Sequence, residues 1–132
     1  IEILKGSRRS AALSLSAVIT PDDLLQLRKA AADVHVEDSL FAYMVDIAAA
    51  TRESHDISLG ISPRGTMALS AMTRAHALME GRNYATPDDV LAVAPYTLSH
   101  RITLSGDARF AGKGDASVLD AILKSVPMPE LV

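Results

Sequence analysis

Gly60-Ile61-Ser62-Pro63-Arg64-Gly65 reads as the mouth of a long helix. Ser62 offers a side-chain oxygen at the N-cap, and Pro63 falls at the first helical position, where its fixed φ and missing N–H cost nothing. Beyond it Ala68, Ala71, Met72, Ala75, Leu78 and Met79 recur at helical spacing, and Gly81 supplies a left-handed stop. This start puts Arg64 in the first turn, which disfavours a cation by roughly 0.3–1 kcal/mol because the helix macrodipole is positive there. An anion bound at that end removes the conflict, since free backbone N–H groups and a guanidinium can face it together. The plain alternative is that Arg64 points into water.

Upstream, Thr20-Pro21-Asp22-Asp23 is a strong helix start: an N-cap, a proline at the first position and two carboxylates in the positive first turn. The helix is expected to run to about Asp33 with Leu24, Leu27, Ala30 and Ala31 inward. Val34-His35-Val36 reads as an extended link. A second helix opens at Glu37 or Asp38, with Leu40, Phe41, Met44, Val45, Ile47 and Ala48 as one apolar stripe, and closes at Thr51-Arg52. His55 to Leu59 reads as a polar loop. Before all this, residues 1–9 read as the end of a helix, and the alternation of Leu13, Leu15 and Ala17 reads as an extended segment.

Downstream, Thr86-Pro87-Asp88-Asp89 repeats the earlier helix start and reads as reuse of a good cap. Val90, Leu91, Ala94 and Leu98 are expected to face the core, and Pro95 to kink or divide the helix. Thr103 to Gly114 reads as a loop. Ser117 is expected to cap a last short helix through Leu119, Ile122 and Leu123, ending before Pro127. The sum is an all-α fold, a compact bundle of five or six helices with short connections that favour antiparallel neighbours.

Two stretches carry a resemblance. Thr51-Arg52, followed by Leu59-Gly60-Ile61-Ser62-Pro63-Arg64-Gly65, and Gly81-Arg82-Asn83-Tyr84-Ala85-Thr86-Pro87-Asp88-Asp89-Val90, followed by Leu98 to Arg101, resemble the C-terminal lid of the MoxR family of AAA+ ATPases. Ile61 stands where that family usually has a small residue, and Ala85 where it usually has a β-branched one; both changes leave Arg64 in place. The resemblance implies an AAA+ lid-like bundle. Residues 1–132 would form one lid domain, with residues 1–9 at the junction with an ATPase core and 10–129 as the lid proper.

It further implies that Arg64 is the sensor 2 residue, reaching the γ-phosphate of ATP, with Ser62 and Pro63 positioning the helix start. ATP and Mg2+ would belong to the full-length protein only, with no cofactor for the isolated domain. Hydrolysis in the parent would drive lid motion and chaperone-like remodelling of client proteins. The implied partners are the chain's own core, neighbouring subunits in a ring and proteins with von Willebrand A domains. The resemblance does not say what His100-Arg101 does.

Composition bounds the alternatives. The 132 residues suit one domain, and 48% hydrophobic residues with 4% aromatic ones suit thin, closely packed helices. A net charge of −3 speaks against a nucleic-acid binder, so a helical interaction or DNA-binding module is the second reading, resting on Arg64, Arg74, Arg82 and Arg101. There is no cysteine and no apolar run of the roughly 18 residues that span a membrane. The start at Ile1, in what reads as mid-helix, leads us to expect a piece of a longer, cytoplasmic protein.

No catalytic group is expected within the chain. Gly112-Lys113-Gly114 lacks the spacing of a phosphate-binding loop. His35, His55, His76 and His100 show no ligand pair at helical spacing, so no metal is expected, and His76 reads as a partly buried structural residue. The pairs Asp22-Asp23 and Asp88-Asp89 point about 100° apart on a helix and cannot share a proton, which leaves capping and dipole compensation to explain them. Arg74 lies roughly 15 Å along the axis from Arg64 and reads as solvated or at an interface. Arg82 reads as a cation drawn to helix-end carbonyls.

Overall fold

The computed structural model describes residues 16–130. The helices are α1 (Pro21–Ala32), α2 (Asp38–Glu53), α3 (Pro63–Met79), α4 (Pro87–Leu98), α5 (Gly106–Phe110) and α6 (Asp115–Ser125), with a single 3-10 turn at Ser99–Arg101. Two short strands, β1 (Ile57–Leu59) and β2 (Thr103–Leu104), pair antiparallel with Ile57 opposite Leu104. The all-α reading thus holds, with six helices and one small sheet among the described residues. That sheet corrects the two expected loops: β1 lies in the segment before Gly60, and β2 and α5 lie within Thr103 to Gly114. The cause is tertiary, since three- and two-residue strands leave no periodicity to read and form because each finds the other.

The expected helix starts are present. Thr20 and Asp23 form a reciprocal capping box, with Asp23 N–H donating to Thr20 Oγ1 at 3.1 Å and Thr20 N–H donating to Asp23 Oδ2 at 2.8 Å. The bond from Thr20 N–H, and next to it one from the Thr20 hydroxyl to the same oxygen at 2.7 Å, hold the exposed Asp23 carboxyl below its ordinary pKa. At α6 the start is three residues earlier than expected: Gly114 is the N-cap, and Ser117 sits at N3, where its hydroxyl accepts from Gly114 N–H at 3.2 Å. Gly81, at φ 75°, ends α3 in the left-handed region. α4 continues through Pro95, because the proline lies on the exposed face, where water can replace the bond its missing N–H forfeits.

The buried faces differ from the expected ones in three helices. α1 buries no residue, and Leu24, Leu25 and Leu27 are all exposed. α2 turns Tyr43 inward with Leu40, Met44, Ile47 and Ala48, while Phe41 and Val45 face out. On α3 the buried row is Gly65, Leu69, Thr73 and Ala77, and Ala71, Met72 and Met79 are exposed. This row is strictly four residues apart and mostly small, so α4 can approach closely along it, and hydrophobicity alone does not reveal it. Leu69 and Ala77 join Val90, Ala94, Leu98, Ile47 and Leu119 in the core.

Buried threonines satisfy their hydroxyls on their own helices: Thr73 donates to Leu69 O and Thr97 to Val93 O, each at 2.9 Å. The link Val34-His35-Val36 is extended as expected. His35 pairs with the segment before α4 by donating its N–H to Asn83 O at 2.8 Å and accepting from Ala85 N–H at 2.9 Å. The helix end expected at residues 1–9 and the positions Leu13 and Leu15 lie outside the described residues; Ala17 is exposed and belongs to no helix or strand. No helix of the described residues is long and apolar enough to cross a membrane.

Candidate functional site

The mouth of α3 is built from three directions. Ser62 is extended at φ −77° and ψ 161°, and its Oγ accepts from Gly65 N–H at 3.2 Å, with Pro63 next in the first turn. Ile61, just before it, donates its N–H to Thr51 Oγ1 at 2.9 Å and accepts from Arg52 Nη1 at 3.0 Å. Behind Gly65 runs the stem of Arg101, whose Nε donates to Thr97 O at 2.9 Å. So the end of α2 and the 3-10 turn after α4 back the start of α3.

Arg64 emerges from this mouth exposed to solvent, with no hydrogen bond or ion pair among the described residues. The first turn of α3 holds no acidic residue, whereas α1 has Asp22 and Asp23 and α4 has Asp88 and Asp89. The cation therefore sits at the positive end of the helix dipole with no anion beside it among the described residues. Gly65 is required here: a Cβ would stand 2.8 Å from Ile61 Cγ2.

Beside this mouth, α2 and α3 leave an open groove of about 540 Å3, lined by Phe41, Val45, Met67 and Ala71 and reached by Arg52 and Pro63. An exposed apolar strip was expected near Gly60-Ile61. Instead Ile61 is buried, and the exposed apolar residues are Leu59 and the groove's Met67 and Val45. The other part of that expectation, around Ile1, Ile3 and Leu4, lies outside the described residues.

The second motif has a different role from the first. Asp89 is 1% exposed and accepts five hydrogen bonds: two from Arg82, at 2.5 and 2.7 Å, one from His76 Nδ1 at 2.7 Å, and two from Thr86, through N–H at 2.8 Å and Oγ1 at 3.0 Å. Burial pushes its carboxyl up, but the bonds from Arg82, His76 and Thr86 together outweigh this and hold it well below the usual carboxylate range. An ionised carboxylate only accepts, so His76 carries its proton on Nδ1. Capping alone therefore does not explain the Asp88-Asp89 pair: Asp88 is exposed and Asp89 is the hub that ties the end of α3 to the start of α4. Arg82, expected to serve helix-end carbonyls, forms a fork on this carboxylate, which raises its own pKa.

Arg74 is likewise neither solvated nor free. Its Nη1 donates to Ala32 O and Val34 O at 2.6 and 2.5 Å, and its guanidinium lies 5.9 Å from the centre of the Phe41 ring, fastening the end of α1 to α3. Arg74, Arg82 and Arg101 are thus bonded within the domain, which removes most of the support for a nucleic-acid face. Among the described residues no group of three His, Cys, Asp or Glu side chains could hold a metal ion.

Comparison with known proteins decides the family. The model of the AAA lid domain matches residues 49–122, from the last turns of α2 into α6. This chain belongs to the AAA lid domain family. Its relatives place the lid with the MoxR group of AAA+ ATPases. It is 32% identical to the chaperone MoxR1 of Mycobacterium tuberculosis over 86% of this chain and 33% of the relative. It is also 32% identical to the protein MoxR of Paracoccus denitrificans, over 72% of this chain and 32% of that protein, and 36% identical to the uncharacterized protein YeaC of Bacillus subtilis, over 88% and 36%.

The crystal structure of a chain assigned as an ATPase from Cytophaga hutchinsonii superposes with a TM-score of 0.81 at 26% identity, covering 97% of this chain and 43% of that one. The lid spans about a third of the length of the curated relatives it matches. Sequence reasoning located the mouth of α3 but missed the Asp89 hub and the Arg74 fastening. Only Arg82 and Tyr84 ahead of Thr86-Pro87-Asp88-Asp89, which the cap at Thr20-Pro21-Asp22-Asp23 lacks, could have signalled the hub.

Proposed function

We propose that this lid acts in a full-length MoxR-type ATPase by presenting Arg64, as the sensor 2 residue, to the γ-phosphate of an Mg2+-bound ATP held by the core domain. Ser62 and Pro63 fix the helix start from which it reaches. The observation that carries the reading is a guanidinium without a partner among the described residues, at a helix whose first turn holds no acidic residue. A charge-assisted bond made only while the γ-phosphate is present ties the lid to the triphosphate, and its loss after hydrolysis lets the lid turn. The chain itself supplies no catalytic group, and residues 1–9 would join it to the core.

On this reading the parent works in the cytoplasm as a ring with neighbouring subunits, and lid movement remodels client proteins, in keeping with the chaperone among its relatives. Partners with von Willebrand A domains belong to the same proposal. The test is Arg64→Ala in the full-length protein. ATP turnover is expected to fall on the order of a hundredfold, as for loss of one preorganised donor to a transition-state charge. The melting temperature should stay within a degree or two, because the residue is exposed and bonds to nothing among the described residues. Wild-type turnover in this variant overturns the assignment.

A further inference from the structure

Ile61 is held at every point. Its N–H donates to Thr51 Oγ1, its carbonyl accepts from Arg52 Nη1, and its side chain is buried, with Cγ2 filling the space that a side chain at Gly65 would need. Thr51 is itself fully buried and braced, its hydroxyl donating to Ala48 O at 2.7 Å. Gly60 lets the loop lie directly on Arg52, since a Cβ there would stand 2.7 Å from Arg52 Cγ and 2.8 Å from its backbone nitrogen. The residue after Ile61 is the N-cap Ser62, and two further on stands Arg64.

We propose that Thr51 and Arg52 are positioning residues for Arg64. They clamp Ile61 by both backbone polar groups, and so fix the direction in which the first turn of α3 projects its guanidinium. The inference rests on the reading of Arg64 given above and adds how that arginine is aimed. A tilt of about 15° at the base of a side chain roughly 6 Å long moves its tip about 1.5 Å, beyond the roughly 0.5 Å within which a binding group stays productive. A serine cap and a proline set where α3 begins; the two bonds from α2 set its bearing relative to the bundle.

The test is a double-mutant cycle on ATP turnover by the full-length protein, with Arg64→Ala, Arg52→Met and the double variant. Met keeps the stem that lies against Gly60 and removes the donor. Arg52→Met is expected to lower kcat roughly ten- to hundredfold, the cost of a misplacement near 1 Å, with a smaller change in KM. In the Arg64→Ala background it should add no further loss, because the two act through one contact. Arg52→Lys, which keeps a donor on a stem of similar length, should recover part of the rate. Thr51→Val, which removes the other bond, carries the same cycle should Arg52→Met not fold.

Equal losses in both backgrounds, or wild-type kcat in Arg52→Met and Thr51→Val while Arg64→Ala is impaired, overturn the positioning role alone. Unimpaired Arg64→Ala overturns the sensor reading, and the clamp's role falls with it.

Discussion

Replacing Asp89 by alanine tests the hub most directly. The change removes a carboxylate that accepts five hydrogen bonds and leaves Arg82, about three-quarters buried, facing an empty site. Removing one partner of a buried ion pair typically costs about 3–5 kcal/mol. The lower end applies here, since Arg82 and His76 are each about a quarter to a third exposed and can turn towards water. About 3 kcal/mol in a domain of this size corresponds to a fall in Tm of roughly 10–15 °C. Circular dichroism melts of Asp89→Ala against Asp88→Ala measure it. Asp88 is exposed and contributes only to the helix dipole, so its loss should cost roughly 0.3–1 kcal/mol. Equal, small losses in the two variants would mean that position 89 is merely a second dipole charge, and the hub would be refuted.

Acid should unfold the lid through the same group. Asp89 is held below its ordinary pKa in the native state, so the unfolded chain binds more protons and stability rises with pH in that window. Its stabilisation is complete above the ordinary carboxylate value of about 3.9 and is lost progressively below it; pH-dependent melts should show this, with a flatter profile for Asp89→Asn. Gly60→Ala should destabilise by about 1–3 kcal/mol, because two of the three atoms its Cβ would strike are backbone, while Gly106→Ala, which meets nothing within 4 Å, should be neutral or slightly stabilising in the same melts. Arg74→Ala should speed amide exchange in α1 more than elsewhere, since α1 buries no side chain and Arg74 fastens its end. Uniform acceleration across all helices would contradict that fastening.

The starts and ends of helices could be read locally because the groups that decide them are neighbours in sequence. Thr20-Pro21-Asp22-Asp23, Ser62-Pro63 and Thr86-Pro87-Asp88-Asp89 each complete their own cap within four residues, and Gly81 ends α3 with its own backbone. The buried faces were less legible. The row Gly65, Leu69, Thr73 and Ala77 is small rather than apolar, so the stripe of alanines and methionines beside it drew the eye. At α1 the error was of another kind: the leucines of an amphipathic helix were assumed to find a core, and within the described residues they face solvent.

The sequence by itself determined a helical bundle, the order of α1 to α4 and α6, and an arginine in the first turn of α3. Those follow from capping chemistry and spacing, which act over a few residues. Only the tertiary structure decided what the other charges do. Arg74, Arg82 and Asp89 looked like surface groups because their partners, Ala32 and Val34 for the first and each other with His76 for the rest, stand up to 42 positions away or across a helix junction. Whether a charge is solvated or buried depends on which atoms the fold brings within 3 Å of it, and that distance is set by packing between elements rather than by the order of residues along the chain.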